Sequence, residues 1–211
     1  AGSFRISLPM TYGIRRLAPL IDEFQTAHPE LTVHIDMNDR YVDVVGEGYD
    51  MVLRIGNLMD STLIARCLGK LPMVICASPD YLRLHGTPLA PSELAQHSCL
   101  LYGREGQFGW KLTEENSPNT YAVRGNLSSN NGDVIREAAE AGAGIALLPL
   151  FIVEDSLQQG ALVQILSDYS PPPLTISALY PKHRQRSAVT RILLPFLAER
   201  IAGIVDPIKK I

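Results

Sequence analysis

The sequence predicts an α/β fold, and three observations carry that prediction. "FRISLP" and "LTVHIDM" alternate apolar with polar residues, the period of a strand, and between them Ile14, Leu17, Ile21 and Phe24 recur at helical spacing. Strand, helix, strand within about 35 residues makes a βαβ unit, whose two strands pair in parallel. The same alternation continues along the chain, and 211 residues at 46% hydrophobic and 19% charged suffice for a substantial core. That length fits one large or two small domains.

The elements follow in order. Thr11 is placed to cap the first helix, Pro19 to kink it or delay its start, and Pro29 to end it. A helix is expected over about 40–47, then a buried strand in "DMVLRI". "LPMVICAS" reads as another apolar strand, and "SPDYLRLHG" as a short helix with Ser78 or Asp80 near its start. Pro91-Ser92-Glu93-Leu94 opens a further helix, and "CLLY" is a strand. Residues 103–119, rich in Gly, Glu, Asn, Ser and Pro around Trp110, read as hairpin and loop. "TYAVRG" is a strand, "NGDVIREAAEAG" a helix and "IALLP" a short buried strand. "LVQIL" and "LTISALYP" are strands, and Ser187 caps a last amphipathic helix carrying Val189, Ile192, Leu193, Phe196, Leu197 and Ile201.

"AAEAGAGIALLP" contains a Gly-x-Gly, the start of a dinucleotide loop. Such a loop follows a strand and opens a helix, because the helix N-terminus supplies the N–H groups that hold phosphate. Here a helix, with Val134, Ile135, Ala138 and Ala141 expected on one face, precedes the glycines and a strand follows. Gly142 therefore sits where helices stop in the left-handed conformation. Anything this helix binds, it binds at its other end.

The remaining chemistry is sparse. A net charge of −3 gives no basic footprint for DNA phosphates. No apolar run approaches the roughly 18 residues of a membrane span. Cys67, Cys76 and Cys99 have no metal-ligand spacing and read as small buried thiols of a reducing, cytoplasmic compartment. The five histidines form no HExxH or HxxxH pair, and there is no GxSxG elbow. No metal or other cofactor is expected. Asn126-Leu127-Ser128 matches a glycosylation acceptor, a pattern too short to carry weight without a secretory context.

The chain reads as two α/β lobes, each with a strand running through a loop of small polar residues into a helix: "SLPMTYG" and "NLSSNNG". Ligands of open α/β sheets sit at the carboxyl ends of the strands, where such loops gather. "FRISLP", "LAPLIDEFQTAHPEL", "YDMVLRIG", "CASPDYLRLHGTPLAPSELAQHSCLLY" and "AAEAGAGIALLP", in this order and spacing, resemble the effector-binding domain of LysR-type transcriptional regulators. The resemblance covers nearly the whole chain and implies the type 2 periplasmic-binding-protein fold, two Rossmann-like lobes joined by two crossover strands. It implies lobe I at 1–75 plus 181–211 and lobe II at 76–180, with "MVICAS" and "TISALYP" as crossovers. It also implies a small-molecule effector between the lobes, a side-by-side homodimer, a tetramer in the full-length protein, and a winged-helix DNA-binding domain ahead of residue 1.

Under that resemblance Met10 and Thr11 on the first strand-to-helix loop reach the effector, Asn38 follows the second strand, and Gly56 and Asn57 follow "LRI". Ser128, Ser129 and Asn130 form the matching loop of the second lobe, and Tyr102 and Phe108 line the cleft. Each has a plainer alternative: Thr11 and the serines as helix caps, Tyr102 and Phe108 as packed aromatics. Arg54 either pairs with a ligand carboxylate or is an ordinary structural arginine. Asp133 in the first helical turn opposes an anion there. Two other functions share the fold: a transporter's solute-binding protein, and an enzyme of prephenate dehydratase or deaminase type. The second needs a catalytic constellation that this sequence does not display.

Overall fold

A computed structural model describes residues 2–58, 61–103, 109–169 and 171–204. The chain divides into two compact units, 1–71 with 174–211, and 72–173. The crossings thus fall at Leu71–Pro72 and Pro173–Leu174, several residues ahead of the expected 75/76 and 180/181. Hydrogen bonding decides this. Strand β5 (Met73–Ala77) pairs wholly with strands of the second unit, and β12 (Leu174–Tyr180) wholly with strands of the first.

The first unit holds a five-stranded sheet of order β2-β1-β3-β12-β4. β1 (Gly2–Leu8) runs parallel to β2 (Leu31–Met37) and β3 (Met51–Ile55), as the βαβ pattern requires. β12 is antiparallel to both β3 and β4 (Ile64–Leu71). The second unit repeats the scheme with β11-β5-β10-β6-β9. There β6 (Cys99–Tyr102), β9 (Ser128–Ser129) and β10 (Ile145–Pro149) are parallel, while β5 and β11 (Val163–Ile165) complete the sheet antiparallel. A hairpin of β7 (Gly109–Glu114) and β8 (Ser117–Ala122) carries Trp110 into the core of this unit.

The first helix differs from its sequence reading in its cap, in a π turn and in the exposure of Ile14, while its late start at Pro19 is as expected. Its N-cap is Pro9, with no side-chain cap, and Thr11 lies inside the first turn of α1 (Met10–Tyr12). A π turn, Gly13–Leu17, follows, with the Ala18 N–H bonded five residues back to the Gly13 carbonyl. α2 (Ala18–Ala27) then starts with Pro19 at its second position, where the missing N–H costs least. The extra residue in the π turn rotates the preceding turn, so Tyr12 is buried above Leu17 while Ile14 is 62% exposed. Leu17, Ile21 and Phe24 do face the core.

The helix expected over 40–47 is absent: those residues form turns, and Val42 and Val44 pack with Tyr49, Val52 and Leu179 in a small satellite cluster. Strand β4 and helix α5 (Leu150–Gln158), which periodicity did not reveal, are present. α3 (Pro79–His85) is capped by Ser78, whose Oγ accepts the Tyr81 N–H, and Pro91–Gln96 is a 3-10 turn rather than an α-helix. The Ser187 Oγ accepts the Thr190 N–H at the start of α6 (Ala188–Ile204), although Ile192 on that helix is 44% exposed.

The Gly-x-Gly resolves as a helix stop. α4 (Gly132–Glu140) buries Ile135 and Ala139, with Val134 exposed instead of packed. Gly142 has φ +81°, the Gly142 N–H bonds the Ala139 carbonyl, and the Ala143 N–H bonds that of Ala138. This is a Schellman ending, which a left-handed glycine permits at little cost. Gly144 serves a second purpose: a Cβ there would lie 2.4 Å from the Ser98 carbonyl oxygen, which accepts the Ile145 N–H.

Of the three cysteines, Cys76 and Cys99 are buried, and burial pushes both thiols up to about 12. Cys67 departs from the expected burial because it lies on edge strand β4, beside a register shift opposite Ile176/Ser177.

Candidate functional site

In the first unit the candidate residues gather at the carboxyl ends of the three parallel strands. Leu8 pairs with Met37, so Asn38 follows directly beside Pro9, and the Asn38 N–H donates to the Leu8 carbonyl at 3.0 Å. Ser7 pairs with Val52, which brings Arg54 level with Pro9 on the other side of β1. Gly56 ends β3, and its N–H donates to the Thr175 carbonyl at 2.9 Å. Met10 is exposed at the start of α1, whereas Thr11 is buried.

A cavity of about 230 Å³ opens among these strand ends. Arg54, Ile55 and Asn57 line it from the end of β3, Asp39, Arg40 and Tyr41 from the loop after β2, and Leu58, Ser61 and Leu179 complete it. Arg54 is half-buried; its Nη1 donates to the Asn38 carbonyl at 3.2 Å, while its Nη2 is buried without a hydrogen-bond partner. Asn38 Oδ1 is likewise buried and unpaired, although Nδ2 reaches Ser7 Oγ at 3.4 Å. Desolvation lowers the Arg54 pKa, with Asp39 the strongest charge opposing the shift. Guanidinium nevertheless stays charged at any ordinary pH. A buried cationic donor without an acceptor is a costly arrangement in a folded protein, and an incoming anion relieves it.

Two features here were not visible in the sequence. Asp39 Oδ1 accepts the Met10 N–H at 2.9 Å, so a carboxylate of the chain itself already occupies the N-terminus of the first helix. Arg40 is held by Glu47, with Nη1 donating to Oε1 at 2.9 Å, and this contact pulls the Glu47 carboxyl down to about 2. The depressed value means the ion pair contributes stability above the usual 4.5 and loses it as pH falls toward about 2. Accordingly, the melting-temperature difference between the protein and Glu47→Gln should shrink steadily across that acid range. A difference independent of pH would dismiss the ion pair as its source.

In the second unit Leu101 pairs with Ser128 and Tyr102 with Ser129, which puts Tyr102, Ser128, Ser129 and Asn130 at the carboxyl ends of β6 and β9. Ser128 and Asn130 are exposed, as is Tyr102. The helix cap is none of these but Asn131, whose Oδ1 accepts the Asp133 and Val134 N–H groups, while Ser129 Oγ accepts the Asn131 N–H. Asp133 lies 3.6 Å from Arg136 in the first turn of α4. Phe108 lies outside the described residues. Among the described residues no three side chains are placed to hold a metal ion, and no helix is long and apolar enough to cross a membrane.

Residues 1–202 match the LysR substrate binding domain family. An HTH-type transcriptional regulator of Haemophilus influenzae is 36% identical over 197 residues, covering 92% of this chain and 68% of the regulator. The regulatory domain of CrgA, a LysR-type regulator from Neisseria meningitidis, superposes with a TM-score of 0.81 at 28% identity, covering 95% of this chain and 98% of that one. Full-length AphB, a Vibrio cholerae virulence activator, superposes at 0.78 with 31% identity over 94% of this chain and 68% of its own. The chain belongs to the LysR substrate-binding domain family. Its fold is therefore the type 2 periplasmic-binding-protein architecture, and its relatives are transcriptional regulators, not enzymes or transporter proteins.

Proposed function

We propose that this chain is the ligand-sensing half of a cytoplasmic LysR-type regulator and takes a small carboxylate as effector. Arg54 carries the reading: a half-buried guanidinium lines the cavity at the strand ends, and one of its donors is unused. Hydrogen bonds to a charged group contribute about 1.5–3 kcal/mol each, so a carboxylate held by the unused Nη2 gains part of a micromolar affinity from this contact. Met10, Asn38, Gly56 and Asn57 of the first unit, and Tyr102, Ser128, Ser129 and Asn130 of the second, are the remaining contacts in this reading. Binding that favours one lobe arrangement biases a DNA-binding domain preceding this chain in the full-length protein.

The test is titration with a panel of carboxylates, followed by melting temperature and calorimetry. A binder should appear, and replacing Asn57 and Ser128 together by Ala should weaken it more than about tenfold, two hydrogen bonds' worth, without lowering the unliganded melting temperature. Unchanged affinity in the double variant would remove these loops from the site.

The homodimer belongs to the same proposal, with the α1–α2 helix of one protomer meeting α4 of its partner. Two exposed apolar side chains, Ile14 at 62% and Val134 at 49%, support these faces as the contact. An isologous interface contains each substitution twice. Ile14→Glu should therefore convert a dimer to monomer at tens of micromolar in sedimentation, with secondary structure intact. A variant that sediments as the parent does would place the interface elsewhere.

A further inference from the structure

The net charge of −3 conceals a local excess of positive charge in the first unit. Between Asp168 and Glu199 the chain has no acidic residue, while Lys182, Arg184, Arg186 and Arg191 fall within ten positions there. The first three stand on the 3-10 turn Lys182–Arg186, every residue of which is exposed, and Arg191 is exposed on the first turn of α6. At about 2 Å of rise per residue the turn is about 8 Å long. That is shorter than the roughly 10 Å over which 0.1 M salt screens a charge, so its cations act as one patch. Arg184 is paired with Asp50, but Lys182, Arg186 and Arg191 have no ion pair or side-chain hydrogen bond among the described residues. Arg191 also faces the positive end of its own helix dipole. Mutual repulsion makes this arrangement unfavourable to the fold, and a polyanion relieves it.

The patch has a defined place in the unit. β12 runs antiparallel to β3, so its exit brings the turn to the amino end of that strand, where Arg184 Nη2 lies 2.8 Å from Asp50 Oδ1. Asp50 Oδ2 accepts the Arg5 N–H, and β1, parallel to β3, begins on the same side. A DNA-binding domain preceding this chain joins it at this end of the sheet, away from the carboxyl strand ends that gather the candidate effector residues. We infer that Lys182, Arg186 and Arg191 form a phosphate-contacting surface that takes the DNA backbone beside the site held by that domain. Guanidinium forks match phosphate oxygens in pairs, and such contacts position a protein without reading sequence. The contact is weak alone and gains from the effective concentration that tethering to a DNA-bound domain supplies. The inference rests on the reading of this chain as half of a DNA-binding regulator and adds a second contact to it.

Fluorescence anisotropy of a labelled duplex of arbitrary sequence, about 30 base pairs long, tests it on the whole chain against the triple variant Lys182→Gln/Arg186→Gln/Arg191→Gln. Three phosphate contacts give a log–log salt slope near −3, at about −0.9 per contact, so the parent's affinity should fall roughly sixfold for each doubling of salt. At about 20 mM salt the triple variant should bind at least about tenfold more weakly, with a melting temperature no lower than the parent's. The carboxylate panel should give the two proteins equal affinities, because the substitutions leave the cavity untouched; the DNA contact and the sensing role are thus read separately. A triple variant that binds the duplex as the parent does overturns this placement. A parent without measurable, salt-dependent binding at about 20 mM salt overturns the contact altogether and leaves the effector reading standing. Competition by polyglutamate as effective as that by unlabelled duplex, at equal charge, overturns DNA as the partner and assigns the patch to an acidic protein surface.

Discussion

Replacing Arg54 by Gln should weaken effector binding by tenfold or more while leaving the unliganded protein as stable as before. The asymmetry follows from where the guanidinium sits. In the unliganded protein its burial costs solvation, its Nη1 makes one 3.2 Å bond to the Asn38 carbonyl, and its Nη2 makes none. Gln retains a donor for Asn38 and removes a desolvated charge, so the unfolding free energy should move by less than about 1 kcal/mol. The liganded state loses a charge-assisted pair worth about 1.5–3 kcal/mol, which is roughly 10- to 150-fold in the dissociation constant. Arg54→Lys should fall between, because it keeps the charge and loses the planar fork. If Arg54→Gln instead unfolds the protein, the arginine is a structural member of the sheet end and the effector lies elsewhere.

The largest expected loss of stability from a single polar side chain is at Asp50. This residue is buried at the amino end of β3; its Oδ2 accepts the Arg5 N–H at 2.8 Å, and Oδ1 lies 2.8 Å from Arg184 Nη2. Three segments far apart in sequence are thereby held at one carboxylate: β1, the chain entering β3, and the turn after β12. Asp50→Ala leaves a backbone donor of β1 without its acceptor, at about 1–3 kcal/mol. The ion-pair contribution is discounted because Arg184 is 45% exposed and turns readily to water. A total of about 2–3 kcal/mol is expected in urea unfolding, and Asp50→Asn, which keeps an acceptor, should lose less than half of it. Equal losses in the two variants would assign the effect to charge rather than to the hydrogen bond.

How far the molecule was legible in its sequence depends on the range of the interactions. β1 and β2 were visible because alternation is local, and their parallel pairing follows from the intervening helix, while β3 was visible as a buried apolar run. β4 was hidden because an edge strand with Ala65, Arg66 and Cys67 all exposed has no apolar alternation to detect. α5 was hidden for the opposite reason: "IALLPLFIV" is apolar throughout, and only Pro149 marks the change from strand to helix. A helix was expected over about 40–47, where Val42 and Val44 instead anchor an irregular loop in a satellite cluster. The candidate positions were legible as strand ends, yet the contact of Asp39 with Met10 spans 29 residues and leaves no local pattern. A sequence reading therefore capped the first helix with Thr11, whereas the folded chain fills its N-terminus with the Asp39 carboxylate.

The wide turn at Gly13–Leu17 has a consequence for how this region tolerates change in length. A π turn stores one residue more than an α turn over the same rise, with both flanking segments held by their own bonds. Leu17, Ile21 and Phe24 are anchored in the core on one side, and Pro9 and Asp39 hold the chain on the other. Removing one residue between them tightens the loop of backbone to ordinary α geometry without shifting either anchor. The helix thus carries an allowance for removal of one residue within its π turn, where the exposed Ile14 lies.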